Sequence, residues 1–135
     1  MLKEKKVLIG VTGSIAAYKT AELVRLFKKE GALVRVIQTK ASLLFVAPLT
    51  LSTLSGNPVL SKMVDSETEE WNNHVDLALW ADYMVIAPLT ANTMAKMVSG
   101  ECSNLLLASY LSAKCPVYFA PAMDLDMYKH PSTKY

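Results

Sequence analysis

The sequence predicts an α/β protein, a doubly wound parallel sheet in a Rossmann-like three-layer arrangement. Three observations carry that prediction. Short apolar runs alternate with helical segments along the 135 residues, the order that builds a parallel sheet. The strongest runs, VLIGV, MVIA and PVYFA, show no polar alternation, so both of their faces should be covered. Each is followed by a turn rich in Gly, Pro, Ser or Thr that opens the next segment, as right-handed crossovers require.

The elements follow in order. Lys6 to Val11 is the first strand, closed by Thr12-Gly13-Ser14. Ile15 to Glu30 has helical spacing, with Ala16, Thr20, Leu23, Val24 and Phe27 on one face. Ser14 is placed to cap its start and Gly31 to end it. Leu33 to Thr39 is the second strand. A helix is predicted from Ala41 to about Leu54, ended by Ser55-Gly56-Asn57-Pro58. Pro58 to Met63 reads as a poorer third strand, and Asp65 to Asn73 as a polar loop. Val75 to Trp80 fits more than one class. Tyr83 to Ala87 is a buried strand, Ala91 to Ala113 a helix with a break near Gly100, and Cys115 to Ala120 the last strand. A further helix should begin near Asp124. Pro88 and Pro121 should stop their strands, since neither has an N–H for the ladder.

Length and composition set the bounds. One domain over residues 1–135 is expected. A hydrophobic content of 52% is enough to fill a core. Fourteen basic and 12 acidic side chains leave a formal charge of +2, with no basic stripe to attract nucleic acid. Cys102 and Cys115 lie in apolar contexts. They read as reduced thiols of a cytoplasmic protein, not a disulfide frame. The start, MLKEKKVLIGVTGS, imitates a leader, but Glu4 interrupts the basic run and Gly10 to Ser14 break the apolar one. No apolar run approaches the roughly 20 residues of a membrane span.

All strand C-termini of a parallel sheet share one edge, where ligands bind. Three strand ends there carry unusual residues: GVTGSIAAYK, IAPLTANTMAK and FAPAMDLDMY. Thr90, Asn92 or Thr93 can cap the helix after the second of these. A single such turn is ordinary; three on one edge indicate a site. GVTGSIAA is the best phosphate candidate, but it is not G-x-G-x-x-G. The second strand ends Gln38-Thr39-Lys40, with no acid for a ribose hydroxyl, which argues against NAD. GSIAAYKT misses the phosphate-binding G-x-x-x-x-G-K-[ST] pattern because Tyr18 replaces its second glycine. His74 and His130 show no ligand spacing with the two cysteines, so zinc is not expected. Imidazole titrates near neutral pH, which suits a general base. Position alone leaves His74 open between a structural and a catalytic role.

Taken together, GSIAAYK (13–19), TKASLLFVAPLTLSTLSG (39–56), His74 in NNHVDLALWAD, APLTANTMAK (87–96) and PAMDLDMY (121–128) resemble the flavin-containing cysteine decarboxylases. The likeness is greatest to those acting on 4′-phosphopantothenoylcysteine in coenzyme A biosynthesis. The single motifs are weak; their ordered set is specific. The resemblance implies FMN as cofactor, with its phosphate at Gly13, Ser14 and Ile15, Thr39 close by and Phe45 against the flavin. Thr90, Ala91, Asn92 and Thr93 would line the ring. His74 matches the catalytic histidine. Met123, Asp124 and Met127 would form the substrate wall, with Asp124 catalytic or substrate-binding. Relatives of this kind form trimers and assemblies of trimers, with FMN between subunits.

Two departures accompany the resemblance. Asp124 stands where those proteins carry asparagine, and Tyr128 where they carry tryptophan. An ionised carboxylate only accepts hydrogen bonds, whereas an amide also donates. Their flavoprotein domain also continues past the position of Tyr135, through a flap and a protonating cysteine. Residues 1–135 are therefore read as a flavoprotein domain truncated at its C-terminal side. The alternatives are a flavin prenyltransferase, a non-catalytic flavin-fold regulator and, least favoured, a P-loop hydrolase.

Overall fold

The computed structural model describes residues 2–62 and 73–122, with Lys129 and Pro131. Four strands, β1 (Lys6–Val11), β2 (Leu33–Gln38), β3 (Tyr83–Leu89) and β4 (Val117–Pro121), form one parallel sheet in the order β2-β1-β3-β4. Val11 pairs with Gln38 on one side of β1, and Ile9 pairs with Val85 on the other. The chain first steps outward from β1 to β2, then crosses back over β1 to β3. That reversal opens a crevice at the carboxyl ends of β1 and β3.

Helices cover both faces. α1 (Thr20–Lys29) and α2 (Pro48–Ser55) lie on one side, where Val24 and Leu51 pack against Val7, Ile9, Val34 and Val36. α3 (His74–Trp80) and α5 (Leu105–Ser112) lie on the other, where Leu77, Leu105 and Leu106 meet Leu8, Met84 and Ile86. α4 (Ala91–Ser99) packs partly against this second layer through Met94 and Met97. Each Leu or Ile fully buried in these layers contributes about 1.5–3 kcal/mol. The three-layer prediction therefore holds.

Several boundaries differ from the sequence reading. The helix predicted from Ala41 is two pieces, a 3-10 turn over Ala41–Leu44 and then α2. Pro48 explains the break: the residue before a proline is pushed out of the helical region, and Ala47 is extended. Proline then serves as the first residue of α2. Residues 15–19 likewise wind as a 3-10 turn before α1 begins. The long helix over 91–113 divides at Gly100, as the sequence suggested. Among the described residues the poorer third strand amounts to one bridge, Ile37 with Leu60.

Pro121 ends β4 as expected, but Pro88 does not stop β3. β3 continues through Pro88 to Leu89, and Leu89 pairs with Pro121 of β4 across an irregularity in the register. The expectation that every strand is covered on both faces fails at β4. Tyr118 and Phe119 are 56% and 54% exposed among the described residues, whereas Val34, Val36 and Ile37 of the other edge strand, β2, are buried.

Candidate ligand cleft at the carboxyl edge of the sheet

The cleft is built from three segments that are far apart in sequence. The first is the turn after β1. Thr12 is fully buried, and its hydroxyl donates to the Pro88 carbonyl and accepts the Thr90 N–H at 3.0 Å. This side chain ties the end of β1 to the end of β3. Gly13 follows, and a Cβ there would stand 2.5 Å from the Ala41 Cβ. The glycine permits the turn after β1 to touch the turn after β2. Ser14 then caps the 3-10 turn by accepting the Ala16 N–H at 3.2 Å.

The second segment is Thr39 to Leu44. Its shape is set from beneath by Gln38, whose buried Nε2 donates to Val46 O at 3.1 Å and to Ser42 Oγ at 3.3 Å. Ser42 Oγ in turn donates to Thr39 O at 2.7 Å. The third segment is the start of α4. Thr90 caps that helix by accepting the Thr93 N–H at 3.2 Å, so Thr90 is the cap among the three residues the sequence offered.

These segments enclose a cavity of about 550 Å³, within the usual range for small-molecule sites. Gly13, Thr39, Thr90, Asn92 and Thr93, all singled out from sequence, line it. Lys40, Ala41, Leu44, Lys96 and Asn104 line it too. Sequence reasoning missed Lys40, Lys96 and Asn104. The signal for Lys96 was its spacing, three and four residues after Thr93 and Asn92 on one helix. Asn104 is the N-cap of α5, accepting the Leu107 N–H at 2.8 Å.

The remaining assigned residues lie elsewhere or beyond the described part. Ile15 is 78% exposed, and Phe45 closes the 3-10 turn at Ala41–Leu44. Ala91 is the first residue of α4. His74 opens α3 behind its cap Asn73, is half-buried, and does not line this cavity. Met123, Asp124 and Met127 lie outside the described residues. A second, larger and mostly apolar cavity lies between α1 and the ends of β3 and β4, lined in part by Leu23, Leu26, Pro88 and Pro121. Lys19 belongs to that side, with its ammonium 5.8 Å from the Tyr18 ring centroid. The lysine of the near-miss phosphate loop therefore does not serve the cleft. No group of three or more metal-ligating side chains occurs among the described residues. No described helix is long and apolar enough to cross a membrane.

A glycine-permitted turn, two capped helix starts and a cavity lined in part by threonine, asparagine and lysine at the strand-order reversal define an α/β protein with a candidate small-molecule cleft. Residues 1–135 match the Flavoprotein family model, and the chain belongs to that family. It is 42% identical over 133 residues to the coenzyme A biosynthesis bifunctional protein CoaBC of Vibrio vulnificus, covering 98% of this chain and 33% of that protein. It is 60% identical over 89 residues to a cysteine/cysteine sulfinic acid decarboxylase of an unknown prokaryotic organism, covering 66% of this chain and 25% of that protein. Among solved structures, a PPC decarboxylase variant complexed with pantothenoylaminoethenethiol superposes with a TM-score of 0.82 and 36% identity, covering 98% of this chain and 74% of that one. The chain thus spans a third or less of the length of these two curated relatives.

Proposed function

We propose that the chain is the FMN-binding part of a decarboxylase that converts 4′-phosphopantothenoylcysteine to 4′-phosphopantetheine. One observation carries the reading: the Gly13 turn, the Thr39 turn and the Thr90 cap converge on one cavity at the sheet's carboxyl edge. The residues present fit a flavin mononucleotide. Gly13 keeps the turn free of a side chain, threonine and asparagine supply hydrogen bonds, and two lysines supply positive charge. Likeness to CoaBC and to a PPC decarboxylase supports the substrate.

FMN, when bound, supplies the two-electron chemistry that makes loss of CO2 from a cysteinyl carboxylate feasible. The chain's own task is to bind and orient. Thr39, Thr90 and Thr93 hold the ligand's polar edge, and the Gln38–Ser42 network fixes the turn that carries Thr39. α3 leads back into β3, so its N-terminus and His74 belong toward the carboxyl edge. His74 is assigned as the base that takes the substrate's proton, and Asp124 as a polar contact to substrate. A homotrimeric assembly in the cytoplasm completes the proposal; His74 of one subunit would then serve the cleft of another.

Purified protein should carry flavin absorbance and release FMN on denaturation. A full-length version should liberate CO2 from 4′-phosphopantothenoylcysteine, and His74→Asn should abolish that release. Unchanged turnover in Asp124→Asn would remove Asp124 from the mechanism. A colourless protein that cannot be loaded with FMN would sink the proposal.

A second reading has its own support. The 60% identical relative is named for cysteine and cysteine sulfinic acid. Direct comparison of the three substrates on the same preparation separates the two readings.

A further inference from the structure

We infer that Gln38 is a positioning residue of the cleft: its buried carboxamide shapes the turn that presents Thr39, Lys40, Ala41 and Leu44 to the ligand, and adds little to the stability of the fold. The inference rests on the flavin reading above and concerns a residue that does not itself line the cavity.

Core packing alone would place an apolar side chain at position 38. Val34, Val36 and Gln38 alternate along β2 and share one face, and the two valines belong to the core beneath α1 and α2. Gln38 is as deeply buried as they are. The end of β2 is held without its side chain. The Gln38 N–H donates to Leu60 O at 2.9 Å, and the Thr39 N–H to Val11 O at 3.0 Å.

Both amide hydrogens of the side chain go to the turn. Nε2 donates to Ser42 Oγ at 3.3 Å and to Val46 O at 3.1 Å. Ser42 Oγ gives its one hydrogen to Thr39 O at 2.7 Å. The carboxamide therefore holds the turn from inside and from just past its end, and Ser42 passes the constraint to Thr39. Val46 O can only accept, which fixes the amide with its nitrogen on that side. Oε1 is left buried with no hydrogen-bond partner among the described residues. The gain from two hydrogen bonds is offset by that unpaired acceptor, because a buried polar atom without a partner weakens a fold. A methionine of similar length would remove the unpaired Oε1 and leave the half-buried Val46 O unpaired in its place. Stability should then change little, while the turn loses its inner anchor.

The test reads stability and binding separately, by urea unfolding of the apoprotein and by titration with FMN followed as quenching of flavin fluorescence. Gln38→Met should keep a urea midpoint close to wild type while weakening FMN roughly tenfold. Gln38→Glu adds a pH profile. Burial raises the carboxyl's pKa. The protonated acid keeps one donor hydrogen, whereas the carboxylate would face Val46 O with none. The affinity of Gln38→Glu should therefore lie closest to wild type at about pH 5 and fall away from it toward about pH 9. A Gln38→Met protein that binds FMN like wild type, or whose midpoint falls in step with its affinity, would overturn the positioning role and leave the flavin reading standing. So would a Gln38→Glu affinity that keeps a constant ratio to wild type across that range. A wild type that binds no FMN would overturn both.

Discussion

The Thr12 hydroxyl bridges two strand ends, donating to Pro88 O and accepting from Thr90 N–H at 3.0 Å. It is buried, and its partners are 76 and 78 residues away. Thr12→Val keeps the shape and removes both bonds, leaving a buried carbonyl and an amide unpaired. The expected cost is about 1–3 kcal/mol, read as a lower urea midpoint. Loosening of the Thr90 cap should weaken FMN as well. Thr12→Ser keeps the hydroxyl and should recover flavin affinity. Equal affinity in Thr12→Val and wild type would show that the bridge does not position the cleft.

Gly13 and Ala41 meet where two loops touch. The Cβ of Gly13→Ala would lie 2.5 Å from Ala41 Cβ and 3.1 Å from its carbonyl carbon. Overpacking of this kind costs about 1–3 kcal/mol. Gly13→Ala should therefore lower the melting temperature and weaken ligand binding together. Adding Ala41→Gly removes the nearest clash and should restore part of both. No gain in the double variant would place the strain elsewhere.

Gly100 separates α4 from α5 in the left-handed region, at φ 74° and ψ 23°, with open space where a Cβ would stand. The cost of Gly100→Ala is therefore backbone strain alone, about 1 kcal/mol. Thermal unfolding should report that loss with flavin affinity unchanged, because the position does not line the cleft.

The two cysteines should separate by reactivity. Cys102 is exposed, whereas Cys115 is half-buried. Burial pushes the Cys115 thiol above its ordinary range, and the Asp82 carboxylate adds to that, while backbone hydrogen bonds partly offset it. Thiol-disulfide reagents should modify Cys102 first at neutral pH, with Cys115 catching up only as pH rises. A folded-state value raised above the unfolded one favours folding below the unfolded value, and that contribution is lost as pH rises through the folded value. Equal labelling rates at neutral pH would refute the assignment.

Much of the fold was legible because apolar, β-rich runs leave a local trace whether or not the strand is buried. VLIGV, MVIA and PVYFA became β1, β3 and β4 near their predicted bounds, with Ser14 and Thr90 as caps. Pro48 is legible too, although the periodicity of 41–54 runs across it. The pre-proline restriction at Ala47 is as local as any cap. The continuation of β3 past Pro88 was not legible in that way, since it depends on pairing between Leu89 and Pro121 of another strand.

The sequence by itself determined the order of strands and helices, the edge on which a ligand must bind, and most residues of the turns that form the cleft. Those features follow from periodicity and turn chemistry, which act over a few residues. Only the tertiary structure decided that Lys40, Lys96 and Asn104 share a cavity with Gly13, and that Lys19 does not. The physical reason is sheet order. Crossing from β2 back over β1 to β3 brings residues some eighty positions apart to one crevice, and no local pattern encodes which side chains will meet there.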